Sequence, residues 1–105
     1  MGNFRIKKQG KSAIVEFHGE QLMEDVLEQK EKIAEIINSA EGVRIVMGED
    51  VRLHPAQLQL ILSLMNDFRK RGKKIETVGL ENKQVKKQLE IAGCYSFFNY
   101  ANGKL

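Results

Sequence analysis

The chain has one cysteine, one proline, two histidines and no tryptophan in 105 residues. A single Cys94 cannot close a disulfide within the chain, which excludes a cross-linked secreted scaffold and fits a reducing cytosol. Cys94 itself reads as a small packed hydrophobe rather than a nucleophile. His18 and His54 are the only imidazoles, and no cysteine or carboxylate is spaced to complete a zinc set around them. A reaction needs several positioned groups, so no catalytic residue, metal or cofactor is assigned. Gly42, Gly48 and Gly79 stand alone rather than in a phosphate-cradling loop, which leaves nucleotide binding without support. No apolar run approaches the roughly 20 residues of a membrane helix. The first residues lack the apolar core of a signal peptide, and a cytoplasmic location is expected.

What is present belongs to an ordinary folded domain. Hydrophobic residues make up 42% and charged residues 30%, so one core over residues 1–105 is expected rather than disorder. The net charge is +3. Its densest patch is Lys70, Arg71, Lys73 and Lys74 around Gly72, with Lys83, Lys86 and Lys87 downstream. A nucleic-acid footprint would look like this. No aromatic residues interleave with these lysines, however, as a single-strand binding surface wants. The patch reads as a solvated helix end whose cations complement the helix dipole, and no nucleic-acid partner is expected.

Periodicity orders the chain. Phe4 and Ile6, then Ala13, Val15 and Phe17, alternate with polar positions and predict two strands joined by a tight turn at Gln9, Gly10 and Lys11. Gly19 ends the second. Residues 25–40 predict a helix with Val26, Ile33, Ile37 and Ala40 as its stripe and Ile36 beside it; Glu28 and Lys32 form an i,i+4 pair. Glu41 and Gly42 break it, and residues 43–47 form a central strand. Residues 58–68 predict a second helix, with Pro55 in its first turn and Gly72 as its stop. Residues 75–80 form another strand. Val85, Leu89 and Ala92 mark a third helix closed by Gly93, and Phe97, Phe98 and Tyr100 a possible last strand. The order ββαβαβα(β) implies an α/β fold with a single mixed sheet. Its N-terminal hairpin is antiparallel, its remaining strands mainly parallel, and helices pack against it.

That order, with these residues in it, resembles the STAS domain, the sulfate transporter and anti-sigma factor antagonist family, from about Phe4 to Tyr100. The second strand and its Gly19-Glu20 exit, the spacing of Ile33, Ile36 and Ile37, the strand at 44–47, the long helix ending at Gly72, and Val85, Leu89, Ile91, Gly93, Cys94, Phe97 and Phe98 carry the resemblance together. Family members that act as phosphorylation switches carry Asp-Ser-Ser-Gly, or a close variant, at the mouth of the second helix. Counting back from Gly72 places His54, Pro55, Ala56 and Gln57 there, with Ala56 at the phosphoacceptor position. Ala56 has no oxygen to phosphorylate, so the resemblance implies the fold without the switch. Ser12, Ser39, Ser63 and Ser96 lie elsewhere.

The expected function is a non-enzymatic regulatory module that docks an anti-sigma factor or serine-kinase-like protein. The alternatives are an accessory subunit of a transporter bound to an ABC-type ATPase and a small-anion sensor using the helix mouth. The expected docking residues are Glu20, Gln21, Glu49, Asp50, Arg52, His54, Pro55, Ala56, Gln57, Leu58 and Leu62. Leu62 enters because Leu58, Leu60, Ile61, Leu62, Leu64, Met65 and Phe68 cover an arc of about 200°. A helix on one sheet face needs a stripe somewhat over 100° wide. Neighbouring helices could bury the excess, or a flank could serve a partner or a second copy in a homodimer.

Overall fold

The computed structural model describes residues 3–91. Two strands, β1 (Asn3–Gln9) and β2 (Ser12–His18), pair antiparallel. Gln9 faces Ser12, so Gly10 and Lys11 are the two central residues of the turn. Gly10 has φ +62° and Lys11 does not have positive φ, the pattern of a type II′ turn, which suits glycine at its first central position. Phe4 and Phe17 face each other across the pair with ring centroids 5.1 Å apart.

Helix α1 (Val26–Ser39) leads to β3 (Gly42–Met47), which pairs parallel with β2. Helix α2 (Pro55–Lys70) leads to β4 (Lys74–Val78), parallel to β3. Helix α3 (Lys83–Ile91) follows. The sheet order β1-β2-β3-β4 advances in one direction. Two right-handed crossovers in the same direction put α1 and α2 on the same sheet face. That face carries Ala13, Val15, Phe17, Val43, Ile45 and Met47, all buried against Ile33 and Ile36 of α1 and Ile61, Leu64, Met65 and Phe68 of α2. The opposite face carries charges in register, including Arg44 opposite Glu76 at 2.9 Å and Lys7 3.5 Å from Glu16. An exposed pair such as Arg44 and Glu76 is worth about 0–1 kcal/mol. The sheet is therefore the mixed one expected, and no helix among the described residues is long and apolar enough to cross a membrane. Ala92, Gly93, Cys94, Ser96 and the possible last strand at Phe97, Phe98 and Tyr100 lie outside the described residues.

Three details differ from the sequence reading. The buried stripe of α1 runs through Gln29, Ile33 and Ile36, with Ile37 half-buried at its side. A buried glutamine is invisible to a pattern built on apolar residues. Helix α1 ends before Glu41 and Gly42 as expected, but Gly42 is already the first residue of β3, where a Cβ would press on Ser12 Oγ at 3.1 Å and Lys74 O at 3.4 Å. The end of α1 is instead closed from outside. Lys73 Nζ donates to Ile37 O at 3.0 Å and Ala40 O at 2.6 Å, and sits 5.3 Å from the Phe68 ring centroid. An ammonium on the last carbonyls of a helix satisfies them and meets the negative dipole end. Lys73→Met keeps the stem and removes the donors. It is expected to lower stability by about 1–2 kcal/mol, read as a shift in urea midpoint at unchanged slope.

Candidate functional site

The C-terminal ends of β2 and β3 do not part when the strands end. Gly48 N donates to Phe17 O at 2.9 Å, Arg52 N to Gly19 O at 2.9 Å, and Gln21 N to Arg52 O at 2.8 Å. Glu20 and Arg52 thus form a parallel bridge beyond the strands. Asp50 Oδ1 accepts from Gly19 N at 3.1 Å, and Gly19 takes φ +70° to make the exit. Two loops, 19–25 and 48–54, become one bonded platform at the C-terminal end of the two central strands, beside the start of α2.

Glutamines tie this platform to the helices. Gln21 Nε2 donates to His18 O at 2.8 Å and Asn3 O at 3.2 Å, while its Oε1 accepts from Gln29 Nε2 at 3.0 Å. Gln57 Nε2 donates to Leu22 O at 2.6 Å. Gln88 of α3 accepts from Leu53 N at 2.8 Å and donates to Val51 O at 2.7 Å. An amide offers a donor and an acceptor together; Gln88 uses both on the 51–53 backbone, while the buried Oε1 atoms of Gln29 and Gln57 have no hydrogen-bond partner among the described residues.

This sorts the expected docking residues. Glu20, Glu49, Asp50, Arg52 and Pro55 are exposed, and His54, Ala56 and Leu62 are half-buried. Gln21, Gln57 and Leu58 are buried, so their side chains shape the surface from beneath. Leu62 packs against the core, as does Leu60. No large apolar residue of α2 is exposed, and the excess arc is covered within the domain.

The mouth of α2 is closed chemically as well. Pro55 stands at the first helical position and brings no N–H. Ala56 N donates to His54 Nδ1 at 3.1 Å, and Gln57 N and Leu58 N both reach His54 O. The first-turn donors thus have partners within the chain. His54 caps the helix, whereas His18 Nε2 lies 3.6 Å from Glu16 on the other side of the sheet. The two imidazoles thus have separate partners. Among the described residues no group of three or more His, Cys, Asp or Glu side chains is placed to hold a metal ion. A cleft of about 290 Å³, lined by Gln9, Ser12, Arg44, Lys74 and Glu76 among others, lies at the far end of the sheet from the platform.

Sequence reasoning passed over three residues here. Leu22, Met23 and Leu27 are exposed at 40%, 67% and 69%. A signal existed: Leu27 belongs to no position of the α1 stripe, and Leu22 and Met23 precede the helix in an acidic stretch.

The fold is that of a STAS domain. No family model matches the sequence, and no curated protein matches it. Among solved structures, the anti-sigma factor antagonist SpoIIAA of Bacillus, in its unphosphorylated form, superposes with a TM-score of 0.71 at 14% identity, over 90% of this chain and 84% of that one. An anti-sigma factor antagonist from Mycobacterium paratuberculosis gives 0.69 at 14% identity, over 93% and 83%. An anti-sigma-factor antagonist STAS domain from Rhodobacter sphaeroides gives 0.57 at 14%, over 80% and 94%. At this identity the likeness establishes architecture.

Proposed function

We propose that the chain is a non-enzymatic regulatory module that docks another protein, in the manner of an anti-sigma factor antagonist. The docking surface comprises the joined loops 19–25 and 48–54 and the first turn of α2. The observation that carries this reading is the bonded platform itself. Exposed Glu20, Glu49, Asp50 and Arg52 are displayed on backbone pinned by Gln21, Gln57 and Gln88. A surface ordered beforehand loses little entropy when a partner arrives. Three solved proteins with this architecture bear the name anti-sigma factor antagonist, which supports the class of partner.

Ala56 in the first turn of α2 makes the module unswitched at that position. A phosphate on a serine there would add about −1.5 to −2 charges; an alanine leaves binding constitutive, or governed by the partner's own state. Affinity capture from the source cells, with the proteins identified by mass spectrometry, tests the reading. A histidine-kinase-like anti-sigma factor is the expected catch. An ABC-type ATPase would establish the accessory-subunit alternative, and neither would refute docking of this kind. With the captured partner purified, incubation with magnesium and ATP is expected to leave residues 54–57 unmodified and the affinity within about twofold, a free-energy change of roughly 0.4 kcal/mol. A phosphate found in that segment, or a tenfold loss of affinity, would contradict an unswitched binder.

A further inference from the structure

We infer that the docking face is anchored by Leu22, Met23 and Leu27, and that it takes an apolar helix face flanked by lysine or arginine. The inference rests on the docking reading above and names the chemistry of the partner. Leu22, Met23 and Glu24 line an open hollow on the 19–25 side of the platform. Leu27 follows Met23 by four residues, through a single 3-10 turn (Met23–Asp25) that runs into α1. The patch is held in place: Leu22 O accepts from both Asp25 N at 3.1 Å and the buried Gln57 amide. Exposed apolar side chains grouped on a fixed backbone and rimmed by polar residues mark an interaction surface.

Charge selects the occupant. Between Glu20 and Glu28 there are four carboxylates, Glu20, Glu24, Asp25 and Glu28, all exposed, and no basic residue. Among the described residues, Glu28 alone of the four has a salt bridge, to Lys32 at 3.0 Å. This acidity runs against the chain's net charge of +3. A second copy docked patch to patch would set these carboxylates against their like, and an anionic lipid surface would be repelled. A cationic rim around an apolar face is complementary and sets both specificity and encounter rate.

The test uses two amphipathic helical peptides with the same leucine face, one flanked by lysines and one by glutamates, titrated into the ¹⁵N-labelled chain. The lysine peptide is expected to shift the amides of residues 22–28, to bind at least about tenfold more tightly than the glutamate peptide, and to weaken as salt is raised. Met23→Asp combined with Leu27→Asp is expected to remove that response, at least about tenfold, with the spectrum still folded because both side chains are exposed. Equal binding of both peptides would overturn the inference, as would shifts confined to the opposite sheet face. So would a wild-type dimer in sedimentation that Met23→Asp dissolves, which would make a second copy the occupant. The two readings fail separately. If the lysine peptide responds as expected but capture fails, only the docking reading of the loops falls. If capture succeeds and is unchanged by Met23→Asp with Leu27→Asp, only the anchor falls.

Discussion

Gly79→Ala is expected to destabilise the domain by about 2–5 kcal/mol, more than any surface change. Gly79 follows β4 and takes φ +97°, a conformation L residues rarely adopt. A Cβ there would overlap the carbonyl oxygen of Met47, the last residue of β3, and crowd its carbonyl carbon. Both obstructing atoms are backbone atoms of a neighbouring strand, so no side chain can swing aside. Relief requires either β3 or the exit of β4 to move, and that exit leads to α3 and Gln88. Gly72→Ala is the control. Gly72 has φ +68° but nothing within 4 Å of an added Cβ, so it carries only the left-handed penalty of about 1–2 kcal/mol. Urea denaturation of the two variants separates conformation from contact. Similar midpoints for both would show that the Met47 contact is not restrictive.

Gln88→Glu has the second largest expected effect, about 2–3 kcal/mol, and its consequence is local as well as global. The glutamine amide donates to Val51 O at 2.7 Å and to Gln84 O at 3.2 Å while its oxygen accepts from Leu53 N. Glutamate keeps the shape and the acceptor but faces the Val51 carbonyl with a second oxygen. Both donor bonds, to Val51 O and Gln84 O, become repulsions, and the side chain must leave. The amides of residues 51–53 are then expected to exchange with solvent markedly faster than those of β3, because the loop has lost its tie to α3. If exchange at 51–53 is unchanged, the loop is held by the Arg52–Gly19 and Gln21–Arg52 backbone bonds alone. In that case α3 is not part of the platform.

Most of the fold was legible because its signals are local. Alternation at Ala13, Val15 and Phe17, the glycine of a two-residue turn, Pro55 at a helix start and Gly72 at its end each report through the residues themselves. The proposed site was legible as a set of neighbouring loops and less so in construction. The exit 19–21 and the loop 49–57 are expected from sequence to neighbour each other, and a backbone bridge between Glu20 and Arg52 joins them. The four glutamines that hold this surface were not legible as a group. Gln57 meets Leu22 and Gln88 meets Leu53 across 35 residues each, and nothing in the sequence records a bond at that distance. Polar residues also carry no periodic signal, which is why Gln29 was missing from the α1 stripe. Leu62 is the converse case. The wide apolar arc on α2 leaves burial by neighbours and an available flank both open from sequence; Leu62 is half-buried against the core, while Leu22, Met23 and Leu27, before and within α1, and Val78 on β4 are the exposed large apolar side chains among the described residues.

The central claim is that the platform beside the mouth of α2 is the surface a protein partner covers. Hydrogen exchange of the chain alone and in complex with its captured partner tests this most directly. Protection is expected at residues 19–28 and 49–58, with little change at Arg5, Lys7, Arg44 and Glu76 on the opposite sheet face. Protection confined to that opposite face, or to the basic end around Lys70, Arg71 and Lys74, would contradict it.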